Sequence, residues 1–313
     1  MSEPRFGINI PQFHPKNSTE LLQLGKFAAR AESLGFDSLW TLDGIFRDAP
    51  FLEPLSSLAY LAATTKTVKL GTAVLMLPLR VPAVVAKFTA TVDFLSSGRL
   101  ILGAALGGTA NEFAASGVPL NERVARFTEG IKIMKMLWTE THVIFKGRFW
   151  QLEDVTISPK PAQAGGIPVW IGGSQMGQEV NEKAIERAAR IGDGWLGAGS
   201  TELAAHERAG NRFVELARKF GRDPRSLALA KRVYIHVDSD RERAKTVLKR
   251  TLSAFYGRDI DVDHTCVFGT EKDCVGKLSH LRDAGTKTLI FHPVVDHFGQ
   301  AEVIARDVVP RLG

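Results

Sequence analysis

A chain of 313 residues, 44% hydrophobic and 24% charged, has the profile of an ordinary globular protein and excludes a disordered one. Its 40 Lys and Arg against 34 Asp and Glu leave a formal charge of +6, but the bases are scattered among acids with no aromatic-interleaved basic block, which speaks against nucleic acid. Two cysteines, Cys266 and Cys274, give no disulfide framework; with no signal-peptide pattern and no apolar run long enough for a bilayer, a cytoplasmic protein without membrane contact is expected.

Short β-branched apolar runs alternate with segments of helical period along the whole chain. The first run is RFGINI (5–10), followed by an amphipathic stretch from Ser18 to Leu34 that Gly35 closes. SLWTLD (38–43) precedes a helix from Pro54 to Thr65, and VKLGTAVLML (68–77) precedes one opened by Pro82. RLILGAAL (99–106) follows, so strands start at 5, 38, 68 and 99, the spacing of a repeating β/α unit. After a helix over Glu122–Trp138, the alternation in VIFKGRFWQL predicts a hairpin turned at Lys146-Gly147, within an insertion over about 139–166 expected at the barrel rim, covering the mouth. Four further runs are IPVWIGG (167–173), GWLGAG (194–199), ALAKRVYIHV (228–237) and TLIFHPV (288–294). Helices are expected over 178–191, 202–220, 240–256, 271–284 and 300–312. Eight strands in strict alternation predict one α/β domain over 1–313, a closed (β/α)8 barrel with a rim insertion after the fourth strand-helix unit.

In such a barrel, chemistry gathers at the C-terminal ends of the strands. The fourth strand ends in Gly107-Gly108 with Asn111 nearby, and the fifth ends in Gly172-Gly173-Ser174 before a helix. The sixth ends in Gly199-Ser200, again before a helix. Bare backbone N–H groups at helix starts suit an anion, and two adjacent loops of this composition predict a shared phosphate site. Neither a dinucleotide fingerprint nor a Walker loop is present. On the seventh strand Arg232, Tyr234 and His236 share the inward face, an unusual polar set for a barrel interior. His14 after the first strand, Asp43 after the second and Tyr234 form the expected catalytic set. No His-Glu-His spacing points to a metal and no nucleophile elbow is present.

The stretches GFDSLWTLD (35–43), KLGTAVLMLPLRVPAVVAK (69–87), FLSSGRLILGAALGG (94–108), FKGRFWQLEDVTISPKPAQAGGIPVWIGG (145–173) and RAARIGDGWLGAG (187–199) resemble the bacterial luciferase-like superfamily of flavin and deazaflavin oxidoreductases. FGTEKDCVGKLSHLRDAGTKTLIF (268–291) is similar to that family's final helix and strand. The resemblance implies a TIM-type barrel, FMN or F420 as cofactor, a small-molecule substrate and a homodimer. It also implies a non-prolyl cis peptide at the cofactor ring, matched by Ala73 and Val74, phosphate contacts at Gly172, Gly173 and Gly199, and Arg232 near the ring. In the sugar-phosphate dehydrogenase branch a catalytic histidine follows the position of Asp43; here it is Gly44, and that substrate is not expected. A barrel lyase or isomerase acting on a phosphorylated substrate, and a non-catalytic flavin-binding relative, stand as alternatives.

Overall fold

Eight parallel strands close on themselves in the computed structural model, which describes residues 5–13, 21–46, 50–173 and 181–313. They are β1 (Arg5–Asn9), β2 (Ser38–Thr41), β3 (Lys69–Thr72), β4 (Leu100–Ala105), β5 (Val169–Gly172), β6 (Gly194–Gly197), β7 (Ala228–Val237) and β8 (Thr288–Pro293). Each pairs with its successor, and β8 returns to β1 with Thr288 beside Arg5, so the eight-stranded ring closes, while a short extra strand, Val267–Gly269, pairs with the far end of β7. The barrel matches the sequence-based expectation strand for strand.

The surrounding helices begin where local chemistry starts them. The first is α1 (Leu24–Ser33). In α2 (Pro54–Thr64) and α3 (Pro82–Leu95) proline opens the helix, where its missing N–H costs nothing. The others are α4 (Arg123–Thr139), α5 (Glu182–Ile191), α6 (Leu203–Lys219), α7 (Arg241–Tyr256), α8 (Glu271–Asp283) and α9 (His297–Val303). Thr270 and Asp273 cap α8 reciprocally, and Gly257, at φ 66°, ends α7. The last expected helix is shorter than 300–312: α9 passes into a π turn at Ile304–Val308 and a 3-10 turn at Val309–Arg311, because Pro310 has no N–H to continue the ladder.

Outward strand residues such as Leu229, Val233 and Ile235 pack under the helices, while Trp40, Ala73, Ile101, Trp170, Leu196, Ala230 and Ile290 fill the interior. Trp40 crosses that interior; a Cβ on Gly7 or Gly71 would meet its indole at 2.5 or 2.4 Å, so both neighbours are side-chain-free. Its ring lies 5.2 Å from that of Trp170, and Nε1 donates to Ser38 Oγ at 2.8 Å. Burying an indole with its N–H satisfied contributes roughly 4–5 kcal/mol.

The expected hairpin exists, Val143–Lys146 against Gln151–Val155, but the insertion does not cover the mouth. Glu129 on α4 accepts from the amides of Arg148, Phe149 and Trp150, and Arg126 stacks on Phe149, so the hairpin lies along α4. Gln163 and the Gly165-Gly166-Ile167-Pro168 run then line a 930 Å³ groove with Lys69, Ile101 and Trp170 at the opposite, N-terminal end of the strands. The reason is topological: a segment between a helix and the next parallel strand returns the chain to the strand's N-terminal end.

Candidate functional site

Beyond the C-terminal strand ends lies a 460 Å³ cavity. Its wall contains Ala73 and Val74 from the end of β3, Ala105–Gly108 after β4, Gly172 and Gly173 after β5, Leu196–Ala198 at β6, and Arg232 from β7. Arg123 of α4 and Arg187 of α5 complete it at the rim. Among the described lining residues there are three guanidinium groups and no carboxylate.

The backbone after β3 makes the departure the family resemblance implies: the Ala73-Val74 peptide is cis. Leu75–Met76 beyond it pairs with Ala104 and Ala105 of β4. Thr72 Oγ1 donates to Gly103 O at 2.6 Å, and a Cβ on Gly103 would fall 1.9 Å from Thr72 O, so no other residue fits there. The glycines of the wall are equally constrained by neighbours. A Cβ on Gly172 would lie 2.7 Å from Val74 Cγ1, and one on Gly173 2.6 Å from the Ala184 Cβ. Gly107 and Gly108 have φ values of 28° and 88°, which present their bare backbone at the cavity edge.

Arg232 is 8% exposed. Its Nη2 donates to the Tyr234 hydroxyl at 3.2 Å, which pairs with the Tyr256 hydroxyl at 2.7 Å, while its Nε has no partner. Burial pushes the Tyr234 phenol well above its usual range, so it stays protonated. The ring of His292 on β8 lies 4.9 Å from that of Tyr234, and its buried Nδ1 is also without a partner. Burial first, then Arg232 and His297, hold this imidazole well below its usual range, so it is neutral. These two side chains border a small second chamber with Gln12, Leu42, Phe13 and Phe255. Phe13 and Phe255 of its lining meet edge to face, 5.1 Å apart, and Phe51 packs against both in tilted contacts.

Several expected residues do come together: Ala73, Val74, Gly107, Gly108, Gly172, Gly173 and Arg232 share one cavity. Others do not. Asp43, expected to be catalytic, is not among the residues lining either chamber. Its side chain is 1% exposed and gripped by Arg80 at 2.6 and 3.0 Å and by the Met76 amide at 2.8 Å. Burial pushes its carboxyl up, against the pull of Arg80 and that amide. Asn111 is exposed on a short helix, Ala110–Ala115, and does not reach the cavity. Gly199 and Ser200 are buried behind the wall, where a Cβ on Gly199 would meet Tyr234 at 2.7 Å and Arg232 Nε at 3.1 Å. His14 and Ser174 lie outside the described residues. Sequence reasoning missed Arg123 and Arg187, which sit on helices whose first turns face the mouth, and it gave His292 no role. Arg187 had a signal, being a base amid the apolar face of RAARIG.

A family model described as luciferase-like monooxygenase matches residues 4–263. The chain is 30% identical to an F420-dependent glucose-6-phosphate dehydrogenase of Amycolatopsis mediterranei, covering 98% of this chain and 97% of that one. Among solved structures, a monooxygenase from Streptomyces bottropensis superposes with a TM-score of 0.86 at 21% identity, over 99% of this chain and 100% of that one. An F420-dependent secondary alcohol dehydrogenase, held with an F420-acetone adduct, superposes with a TM-score of 0.85 at 20% identity over 99% of both. These two show the shared barrel.

Proposed function

The chain belongs to the luciferase-like monooxygenase family, and from that premise we propose that it is an oxidoreductase using F420 or FMN at the barrel mouth to transform a small organic substrate. The observation that carries this reading is a cavity walled by bare glycine backbone and three guanidinium groups, with no carboxylate among its described lining residues. That is a receptor for a flat ring bearing anionic groups. F420 is favoured over FMN because the full-length relative at 30% identity is named as F420-dependent.

The residues fit such a group. Arg232 lines the cavity, and its buried Nε has no partner in the protein, a donor that a ligand oxygen or nitrogen reaching it would satisfy. Gly172 and Gly173 bring backbone to the wall where any side chain would intrude. Such a group would supply the hydride chemistry, with electronics that are its own. The protein's part is to hold and surround it. Ala73 and Val74 would form one wall of the ring site, Gly107, Gly108, Gly172 and Gly173 would hold the phosphate side, and Arg232, its guanidinium fixed by Tyr234, would face the ring. His292 is the group placed to move a proton, neutral and with Nδ1 free beside the second chamber. Asp43, held by Arg80 and the Met76 amide, is assigned a structural part in this reading.

The substrate of the dehydrogenase relative is not carried over. Gly44 offers no side chain beside Asp43, and the described lining of the second chamber is mostly aromatic and aliphatic, with Gln12, Thr251 and two histidines but no Lys or Arg. At about 20 Å³ the chamber by itself has room for little more than a water molecule, so it forms only the apolar end of a substrate site that opens on the mouth cavity. The lyase or isomerase alternative loses its lysine, because Lys231 is buried with its ammonium bound to backbone carbonyls. A homodimer is supported by Tyr60 on α2 and Val84, Phe94 and Leu95 on α3, all at least half exposed.

Titration of the purified protein with F420 and with FMN, followed by quenching of ring fluorescence, tests the reading. Saturable binding of one is expected; binding of neither overturns it.

A further inference from the structure

Two cations stand on consecutive residues of β7, and both are buried: Lys231 is 0% and Arg232 8% exposed. Strand alternation sends them to opposite faces. Arg232 reaches the mouth cavity from within. Lys231 lies behind the cavity wall, its Cδ 3.3 Å from where a Cβ on Gly197 would sit, and Gly197 and Ala198 are part of that wall. Only one layer of backbone separates its aliphatic stem from the cavity.

Lys231 Nζ donates to the carbonyl oxygens of Ala198 and Thr201, the latter at 3.0 Å. The Thr201 amide closes the turn on the same Ala198 oxygen at 3.2 Å. Both carbonyls are thereby drawn back toward the ammonium and away from the cavity. Among the described residues neither Lys231 nor Arg232 forms an ion pair; their polar partners are two carbonyls and a phenol. Buried charge without a counter-charge is costly, and an anionic ligand is the natural compensation.

We propose that Lys231 is a positioning residue for the anionic group of the cofactor. It turns the Ala198 and Thr201 carbonyls away from the wall and supplies, from behind the backbone, positive charge that Arg232 supplies from within. This rests on the cofactor reading above, and Lys231 itself does not touch the ligand. An apolar residue there would remove the ammonium that both carbonyls face, and with it the positive charge behind the wall that offsets their dipoles at the anion.

The arrangement also titrates. Burial, then the neighbouring Arg232, bring the Lys231 ammonium down to about 7. Around it, burial pushes the Cys266 thiol up to about 11, and burial with Lys231 keeps the His206 imidazole well below its usual range. Within this cluster Lys231 is therefore the group that changes charge between about pH 6 and pH 9.

The test compares F420 with its phosphate-free deazaflavin core, and FMN with riboflavin, by fluorescence titration of wild type and Lys231→Met. For whichever pair the wild type binds, Lys231→Met is expected to weaken the phosphate-bearing member about tenfold or more while the core changes less than about threefold. In the wild type alone, the F420-to-core affinity ratio falls from about pH 6 to pH 9, since the F420 phosphodiester does not titrate there. Equal weakening of both members marks Lys231 as a folding residue only and overturns the proposal, as does a pH-independent ratio. Wild type that binds neither pair overturns the cofactor reading itself, and this inference with it.

Discussion

Removing the Asp43 carboxylate separates a structural from a chemical role for this residue. The side chain is 1% exposed and makes three bonds: two to Arg80, at 2.6 and 3.0 Å, and one to the Met76 amide, at 2.8 Å. Through them it fastens the end of β2 to the segment that follows the cis bond at Ala73-Val74. Taking away one partner of a buried pair costs about 3–5 kcal/mol because the other charge is left behind. Arg80 is 16% exposed and has Glu53 at 3.8 Å, so part of that charge remains compensated. Asp43→Asn is therefore expected to lower stability by about 2–3 kcal/mol. Asp43→Asn combined with Arg80→Met should be less damaging than the two single losses added, with a coupling of about 2 kcal/mol. Urea unfolding of the four proteins measures this, and cofactor titration of each should show weaker binding where the segment is loosened. A variant Asp43→Asn with wild-type stability and wild-type cofactor affinity, but no turnover, would refute the reasoning and return Asp43 to the chemistry.

Gly172→Val places a branched side chain where a Cβ alone lies 2.7 Å from Val74, so cofactor affinity should drop at least about tenfold with a smaller loss of melting temperature. Gly103→Ala drives a Cβ against the Thr72 carbonyl and should cost about 3 kcal/mol or more in urea unfolding, since backbone must move. Burial pushes the Glu32 carboxyl up, but bonds from the Thr67, Val68 and Lys66 amides and the Thr67 hydroxyl outweigh it and hold it at about 2. That stabilisation is present above the ordinary value of 4.5 and is lost as pH falls toward 2, so Glu32→Gln should flatten this part of an acid-unfolding profile. Phe94→Glu on the exposed face of α3 should convert a dimer to a monomer in sedimentation, if the apolar face is the interface.

The barrel was legible because its strands are short β-branched runs at regular spacing, a signal carried by consecutive residues. The cavity's glycines were legible for the same reason, since Gly107-Gly108 and Gly172-Gly173 directly follow strands. The rest depended on side chains meeting across long stretches of sequence. Nothing near Asp43 foretells that Arg80, 37 residues on, will occupy it. Arg123 and Arg187 come to the mouth from helices, outside the strand-end rule that guided the reading. Gly199-Ser200 looks like Gly172-Gly173 in sequence, yet Arg232 and Tyr234 stand in front of it. The insertion was misplaced for want of a topological argument, because a helix-to-strand connection belongs to the N-terminal face.

A crystal structure of the protein soaked or grown with F420, or with FMN should it bind instead, tests the central claim most directly. The ring is expected against Ala73 and Val74, with the phosphate beside Gly172 and Gly173 and Arg232 Nε partnered by the ligand. A ring bound elsewhere, or a phosphate held at the N-terminal groove beside Lys69, would contradict the account.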